Sequence, residues 1–296
     1  MVNLAGDADP TTTASTRYIG PLRTLERDGL RLGYTRTGSG PPVILVQGVG
    51  VIRAGWKPQL EALSDRYTLI AIDNRGIGGS TLDDRQLTIE DMAADVLAIA
   101  DAEGIDRFHL AGHSMGGVIA QHVALTAPAR VSTLALLCTF LKGRQGTMIA
   151  PAMLPTAIRS RIGTRGMRRR AFVELVMPKS YLATLDRDRV CDELGSLFGR
   201  DLADQPPIVM RQLRAMGRYD VSARLASLGS IPTLVVSAVH DCIARPAYGR
   251  ALAAAIPCAR YVEFREAGHA VTIQCAEAVN ALLLEHFEGS RSVARP

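Results

Sequence analysis

Aromatic residues make up only 5% of the 296-residue chain, and there is a single tryptophan. Cysteine is equally sparse: five residues, at positions 138, 191, 242, 258 and 275, with no Cys-x-x-Cys pair. An odd, scattered set of this kind builds neither a disulfide framework nor a zinc site. Charge of one sign is lacking too, since 34 Lys and Arg against 29 Asp and Glu leave a net charge of +5. That excess does not imply a nucleic-acid partner. No apolar run is long enough to span a bilayer, and the start, MVNLAGDADPTTTASTRY, has no basic stretch followed by an apolar one. A soluble protein of a reduced, cytoplasmic compartment is expected.

What is present is an ordinary globular mixture, 47% hydrophobic and 21% charged, which excludes disordered, collagen-like and coiled-coil chains. At roughly 150 residues per domain the length would allow two domains, but one α/β body with an insertion has the same length. The patterning favours the second. Residues 30–34 alternate apolar and polar, and after the turn sequence TGSGPP a continuous apolar run predicts a buried strand over 42–47. A helix is predicted over 56–63 and a strand over 67–72. Thr88 stands at a cap position before a helix over 88–103, with Ile89, Met92, Ala93, Val96, Ile99 and Ala100 on one side. Strands over 108–111 and 131–137 then enclose a helix over 115–127. This alternation implies a mostly parallel sheet flanked by helices.

From residue 140 to 228 the alternation stops, and a helix-like, Arg- and Met-rich stretch with prolines at 151, 155, 178, 206 and 207 takes its place. An inserted helical cap is expected there. Strands over 232–237 and 260–264, with helices over 247–255 and 276–287, then restore the pattern. The expected organisation is a core of residues 21–139 and 229–288 around a cap of 140–228, with flexible tails at 1–20 and 289–296. No internal repeat is evident.

The strongest local signal is Gly112-His113-Ser114-Met115-Gly116, a G-x-S-x-G sequence between a predicted strand and a predicted helix. A serine there must turn the chain sharply, which pushes its hydroxyl into the open at a helix N-terminus, where N–H groups favour developing negative charge. An unassisted serine is a poor nucleophile and needs a base and a group to orient that base. His269, on a loop after the last predicted strand, and Asp241, just past the strand TLVVS, can supply both. Asp73, Asp201 and Asp220 compete for the acid role. Asp73 is read instead as tying down the glycine-rich turn, with Arg75 as its candidate partner, and Asp220 as a cap.

With Gly112 to Gly116, the turn Asp73-Asn74-Arg75-Gly76-Ile77-Gly78-Gly79-Ser80, and Gly268-His269, the chain resembles the α/β-hydrolase superfamily of esterases, lactonases and epoxide-hydrolase-like enzymes over residues 25–288. The order Ser114, Asp241, His269 is the order of that fold's triad. The resemblance implies oxyanion N–H donors at Met115 and Val49, although this chain has Gln47-Gly48-Val49-Gly50 where the family usually has His-Gly. A serine at the elbow, where dehalogenases and epoxide hydrolases have aspartate, favours attack on an acyl carbon.

Cleavage of a carboxylic ester or lactone by water, without metal or organic cofactor, is the expected function. Carbon–carbon and thioester hydrolysis, perhydrolysis, acyl transfer and a non-catalytic ligand-binding role remain open, because fold does not decide among them. Gln47, Gly48, Trp56, His113, Phe140 and Met153 are candidate substrate contacts, and Met148, Leu154, Met167, Phe172, Met177 and Phe198 could wall an apolar acyl pocket with them. His113 is also read as a support residue, and His240 as a rim residue. His109, His122 and His286 are read as structural, and Cys242 as packing. The arginines at 159, 161, 165, 168, 169 and 170 form the densest charge cluster. A solvated cap helix explains them without an acidic partner.

Overall fold

Short aliphatic runs that turn residues separate can pair on both edges only if helices cover both faces, and this chain meets the condition in the middle of one eight-stranded sheet. The computed structural model describes residues 20–148 and 150–292. Strands β1 (Leu22–Arg27), β2 (Leu30–Thr37), β3 (Pro42–Val46), β4 (Thr68–Ile72), β5 (Phe108–His113), β6 (Val131–Leu137), β7 (Thr233–Ala238) and β8 (Arg260–Phe264) lie in the order 1-2-4-3-5-6-7-8. From β4 to β8 every pairing is parallel, while β2 runs antiparallel to both β1 and β4. Strand β1 has no counterpart in the sequence reading, because its side chains are largely exposed and carry no apolar alternation.

Helix α1 (Lys57–Leu63) follows β3, α2 (Ile89–Ala102) follows β4, and α3 (Met115–Thr126) follows β5. Thr88 caps α2 in a reciprocal box: its hydroxyl accepts from the Asp91 N–H, and the Asp91 carboxylate accepts from the Thr88 N–H. Helix α3 lies against β3, β5 and β6. Between β6 and β7 come α4 (Leu154–Arg159), α5 (Arg165–Val176), α6 (Lys179–Leu182), α7 (Arg187–Phe198) and α8 (Pro207–Arg218). Prolines cut this stretch into short pieces: Pro155 and Pro207 sit in first turns, and Pro178 and Pro206 in cap positions, where the missing N–H costs nothing. Val173, Val176, Leu182, Val190, Leu194 and Leu202 make a second, smaller core that reaches Ala270, next to His269.

Four of the six clustered arginines are paired at the surface: Arg159 with Glu174, Arg165 with Asp201 and Asp204, Arg169 with Asp192 and Asp201, and Arg170 with Asp188. The sheet side closes with α9 (Pro246–Ala255), α10 (Val271–Gln274) and α11 (Ala276–Ser292). Helix α11 runs on through Ser292, into the stretch read as a tail from 289. Once Val279, Leu283 and Phe287 are buried, each added turn needs no new nucleus. The expected tails at 1–19 and 293–296 lie outside the described residues. Among the described residues, no helix is long and apolar enough to cross a membrane.

Asp95 on α2 holds Arg75 through two bonds, Nε to Oδ2 at 2.6 Å and Nη2 to Oδ1 at 2.8 Å, with both side chains nearly inaccessible. Asp95→Ala should therefore lower unfolding free energy by about 3–5 kcal/mol in urea, and combining Asp95→Leu with Arg75→Met should recover most of it. Equal losses in the single and double variants would contradict this account. His286 donates its Nε2–H to the Leu134 carbonyl at 3.1 Å, and burial pushes its pKa down to about 4. Between pH 6.5 and about 4 the unfolded chain binds a proton here that the folded chain does not. Stability should thus fall as pH is lowered through that window, by at most about 3 kcal/mol from this group. In His286→Gln that share of the pH dependence should vanish from the urea midpoints.

Candidate active site

Ser114 stands between β5 and α3 with φ 56° and ψ −121°, a conformation that costs a residue with a Cβ on the order of 1–3 kcal/mol. The surroundings hold it there. Its N–H donates to the Leu137 carbonyl at 3.0 Å, and its carbonyl accepts from Gly117 N–H at 3.0 Å and Thr139 Oγ1 at 2.7 Å. The flanking glycines allow the close approach: a Cβ on Gly112 would sit 2.3 Å from the Gly116 carbonyl oxygen, and one on Gly116 2.0 Å from that of Val46. No side chain fits either place.

Asp241 and His269 meet at the same edge of the sheet. The His269 Nδ1–H donates to Asp241 Oδ2 at 2.7 Å, while Asp241 Oδ1 accepts from the N–H groups of Ile243 and Ala244, each at 2.8 Å. The carboxylate is fully buried. Burial pushes its pKa up, but the His269 ring and the two backbone donors outweigh that, and the net shift is downward. Ser114 and His269 face one cavity of about 240 Å³. Among the described residues, the Ser114 hydroxyl makes no hydrogen bond to the imidazole; such contacts often tighten only with substrate bound.

The loop from Gln47 to Gly50 hugs the nucleophile. A Cβ on Gly48 would lie 2.9 Å from that of Ser114. The Gly50 N–H is taken by Gln212 Oε1 at 2.8 Å, whereas Val49 N–H points to no partner among the described residues. Gln47 folds its amide back on this loop, with Oε1 accepting from Gly48 N–H at 3.2 Å. Met115 buries its side chain in the core, which leaves only its first-turn N–H as a candidate donor.

Of the other expected contacts, Gln47, Gly48, His113, Phe140, Met148, Met153, Phe172 and Phe198 line the cavity. Trp56 does not: the single turn Arg53–Trp56 presents Gly55 to the cavity and sends the indole into the main core. Leu154, Met167 and Met177 do not line it either, and Leu154 and Met167 are about half exposed, at 51% and 53%. His240 is exposed and outside the lining. His113 both lines the cavity and donates from Nε2 to the His269 carbonyl at 2.8 Å; burial pushes its pKa down to about 3, so the ring is neutral.

The competing acids have other partners. Asp73 accepts from Gly79 N–H at 2.8 Å and from Arg53, not Arg75, whose guanidinium is held by Asp95. Asp220 accepts from Ser222 N–H, and Asp201 is bound by Arg165 and Arg169. The Cys242 thiol lines the cavity and donates to the Leu175 carbonyl, with its pKa pushed up to about 11 by burial. His113, Cys138 and His269 bring ligand atoms within 4.8 Å of one another. Sequence spacing gave no sign of this group, in which burial pushes the Cys138 thiol pKa up, His113 donates from Nε2 to the His269 carbonyl and His269 donates from Nδ1 to Asp241.

Gln212 and Arg200 are among the residues that escaped the sequence reading. Gln212 is fully buried, bridging the Gly50 N–H and the Arg75 carbonyl. Its signal was there: with Val209 and Met216 it stands on the buried stripe of α8, a polar residue at an apolar position. Arg200 lines the cavity but lies outside the arginine cluster that drew notice.

Residues 41–274 match the model of the alpha/beta hydrolase fold family. The chain is 32% identical over 253 residues to a protein named as carbamate hydrolase RutD of Variovorax paradoxus, covering 83% of this chain and 91% of that one. It is 30% identical over 265 residues to one named as non-heme bromoperoxidase BpoC of Mycobacterium tuberculosis, covering 87% and 98%. Among solved structures it is similar to the enol-lactonase of Burkholderia xenovorans, with a TM-score of 0.75 at 27% identity over 90% of this chain and 100% of that one. The family match spans most of the chain, including the elbow and the sheet edge that carry Ser114 and Asp241, and the chain is therefore an enzyme of the alpha/beta hydrolase family.

Proposed function

We propose that this enzyme is a cofactor-independent serine hydrolase that cleaves a carboxylic ester or lactone through an acyl-enzyme on Ser114. The observation that carries the reading is that the strained elbow serine and an Asp241-bound His269 face the same apolar cavity. Ser114 Oγ attacks the acyl carbon while His269 Nε2 takes its proton. The Asp241 carboxylate holds the Nδ1–H tautomer and favours the imidazolium that forms. Charge on the carbonyl oxygen goes to the N–H groups of Met115 and Val49. The imidazolium then protonates the departing alcohol, which in a lactone stays tethered to the acyl group. Water repeats the sequence to release the acid.

In this reading residues 140–228 act as a cap: Phe140, Met153, Phe172 and Phe198 give the cavity an apolar wall suited to a small acyl or alcohol group. The singly spread cysteines suit a reducing, cytoplasmic compartment.

A fluorophosphonate probe should label the wild-type enzyme and leave Ser114→Ala unlabelled. On a panel of short aryl esters and lactones, Asp241→Asn should fold as the wild type does and lose about ten-thousand-fold in kcat, the loss expected when the base takes the wrong tautomer. Near-normal turnover in Asp241→Asn would assign the acid role elsewhere. Product ratios with an added alcohol separate hydrolysis from acyl transfer, and thioester and vinylogous diketone substrates test the neighbouring chemistries.

A further inference from the structure

Arginines on the surface of this protein are mostly engaged by carboxylates, but Arg200 is not. It follows Gly199, the left-handed residue that ends α7, and its side chain turns into the cavity that holds Ser114 and His269. Its guanidinium carbon lies 5.9 Å from the ring centres of both Phe172 and Phe198, which meet edge to face at 5.5 Å. Nη1 donates to the Asp204 carbonyl at 2.7 Å, with that of Asp201 at 3.4 Å. Nε is buried without a partner, and among the described residues Nη2 donates to nothing. The nearby acids are occupied, Asp201 by Arg165 and Arg169 and Asp204 by Arg165.

Among the described residues lining the cavity there is no carboxylate, and apart from Arg200 the titratable groups are His113, His269 and the Cys242 thiol, which burial pushes up to about 11. A half-buried cation in apolar walls, with one edge of its fork unused, has given up water without gaining an anion. Burial pushes its pKa down, yet a guanidinium stays charged. The free edge, Nε with Nη2, has the spacing of the two oxygens of a carboxylate. It also lies near the nucleophile. A Cβ on Gly50 would sit 3.3 Å from Nη2 and one on Gly48 2.9 Å from the Ser114 Cβ, so two residues of chain, about 7 Å at full extension, link the two groups.

We propose that Arg200 is a specificity-determining residue that binds a carboxylate on the substrate, so that the enzyme prefers esters or lactones carrying a second, ionised carboxyl group. The inference rests on the hydrolase reading for its kinetic form. Either the acyl part or the alcohol part can bring the carboxylate, and matched pairs separate the two. For the acyl side the pair is the mono-para-nitrophenyl ester of glutarate against para-nitrophenyl pentanoate. For the alcohol side it is para-acetoxybenzoate against its methyl ester.

In at least one pair the wild type should favour the charged member about tenfold or more in kcat/KM, chiefly through KM. Arg200→Met should lower that preference by about tenfold or more, and Arg200→Lys, which keeps the charge and loses the fork, should retain part of it. Calorimetric binding of glutarate and para-hydroxybenzoate to the full chain reads the same site without turnover: at least one should bind the wild type and lose about tenfold in affinity in Arg200→Met. No preference for charge in either pair, or equal losses on both members in Arg200→Met, overturns the proposal. If no ester is hydrolysed and no probe labels Ser114, the acyl-enzyme reading fails. Calorimetry then decides this inference alone: Arg200-dependent carboxylate binding supports it and none overturns it.

Discussion

The chain must reverse direction at residue 114 in a conformation that side chains avoid, and close packing of backbone on backbone is what makes it do so. Gly112 and Gly116 leave no room for a Cβ between β5, the first turn of α3 and the end of β3. The contact ties the nucleophile candidate to the two central strands of the sheet, so the position of the hydroxyl is as firm as the core. Local strain of on the order of 1–3 kcal/mol is small against the burial that opposes its relief. The same approach brings Gly48 against Ser114, so the Gln47–Gly50 loop and the elbow are fixed by one another.

Around that fixed point the molecule divides its polar groups in two ways. Buried ones are held by geometry: Asp241 by His269 and two backbone donors, His113 by the His269 carbonyl, and Gln212 by Gly50 and Arg75. Exposed ones, such as Arg159, Arg165 and Arg170, are satisfied by nearby acids in pairs that contribute little each. Prolines begin α4, α6 and α8 among the helices between β6 and β7, and the small core of these helices meets the sheet domain next to Ala270. Those helices and the loop that carries His269 thus share a packing surface.

Much of this was legible from residue order. The strands over 131–137 and 260–264 have the bounds that periodicity gives, Thr88 caps α2, and Ser114 and His269 line one cavity with Asp241 bonded to the His269 ring. The misses share a cause. Strand β1 is an exposed edge with no alternation to read. Trp56 and Gly55 are neighbours on one tight turn, and which of them faces the cavity depends on the path of the whole loop. Arg75 stands beside Asp73 in sequence, yet its fork reaches Asp95 on the following helix.

Residue order by itself determined the alternation of strands and helices, the strained serine turn and the types of group available for acyl chemistry, since these follow from spacing and local sterics. Only the tertiary structure decided which acid meets the imidazole, which apolar side chains wall the cavity, and that Arg200 enters it without a counter-ion. Those outcomes depend on distances between segments far apart in the chain, and such distances exist only once the sheet and the helices between β6 and β7 have packed.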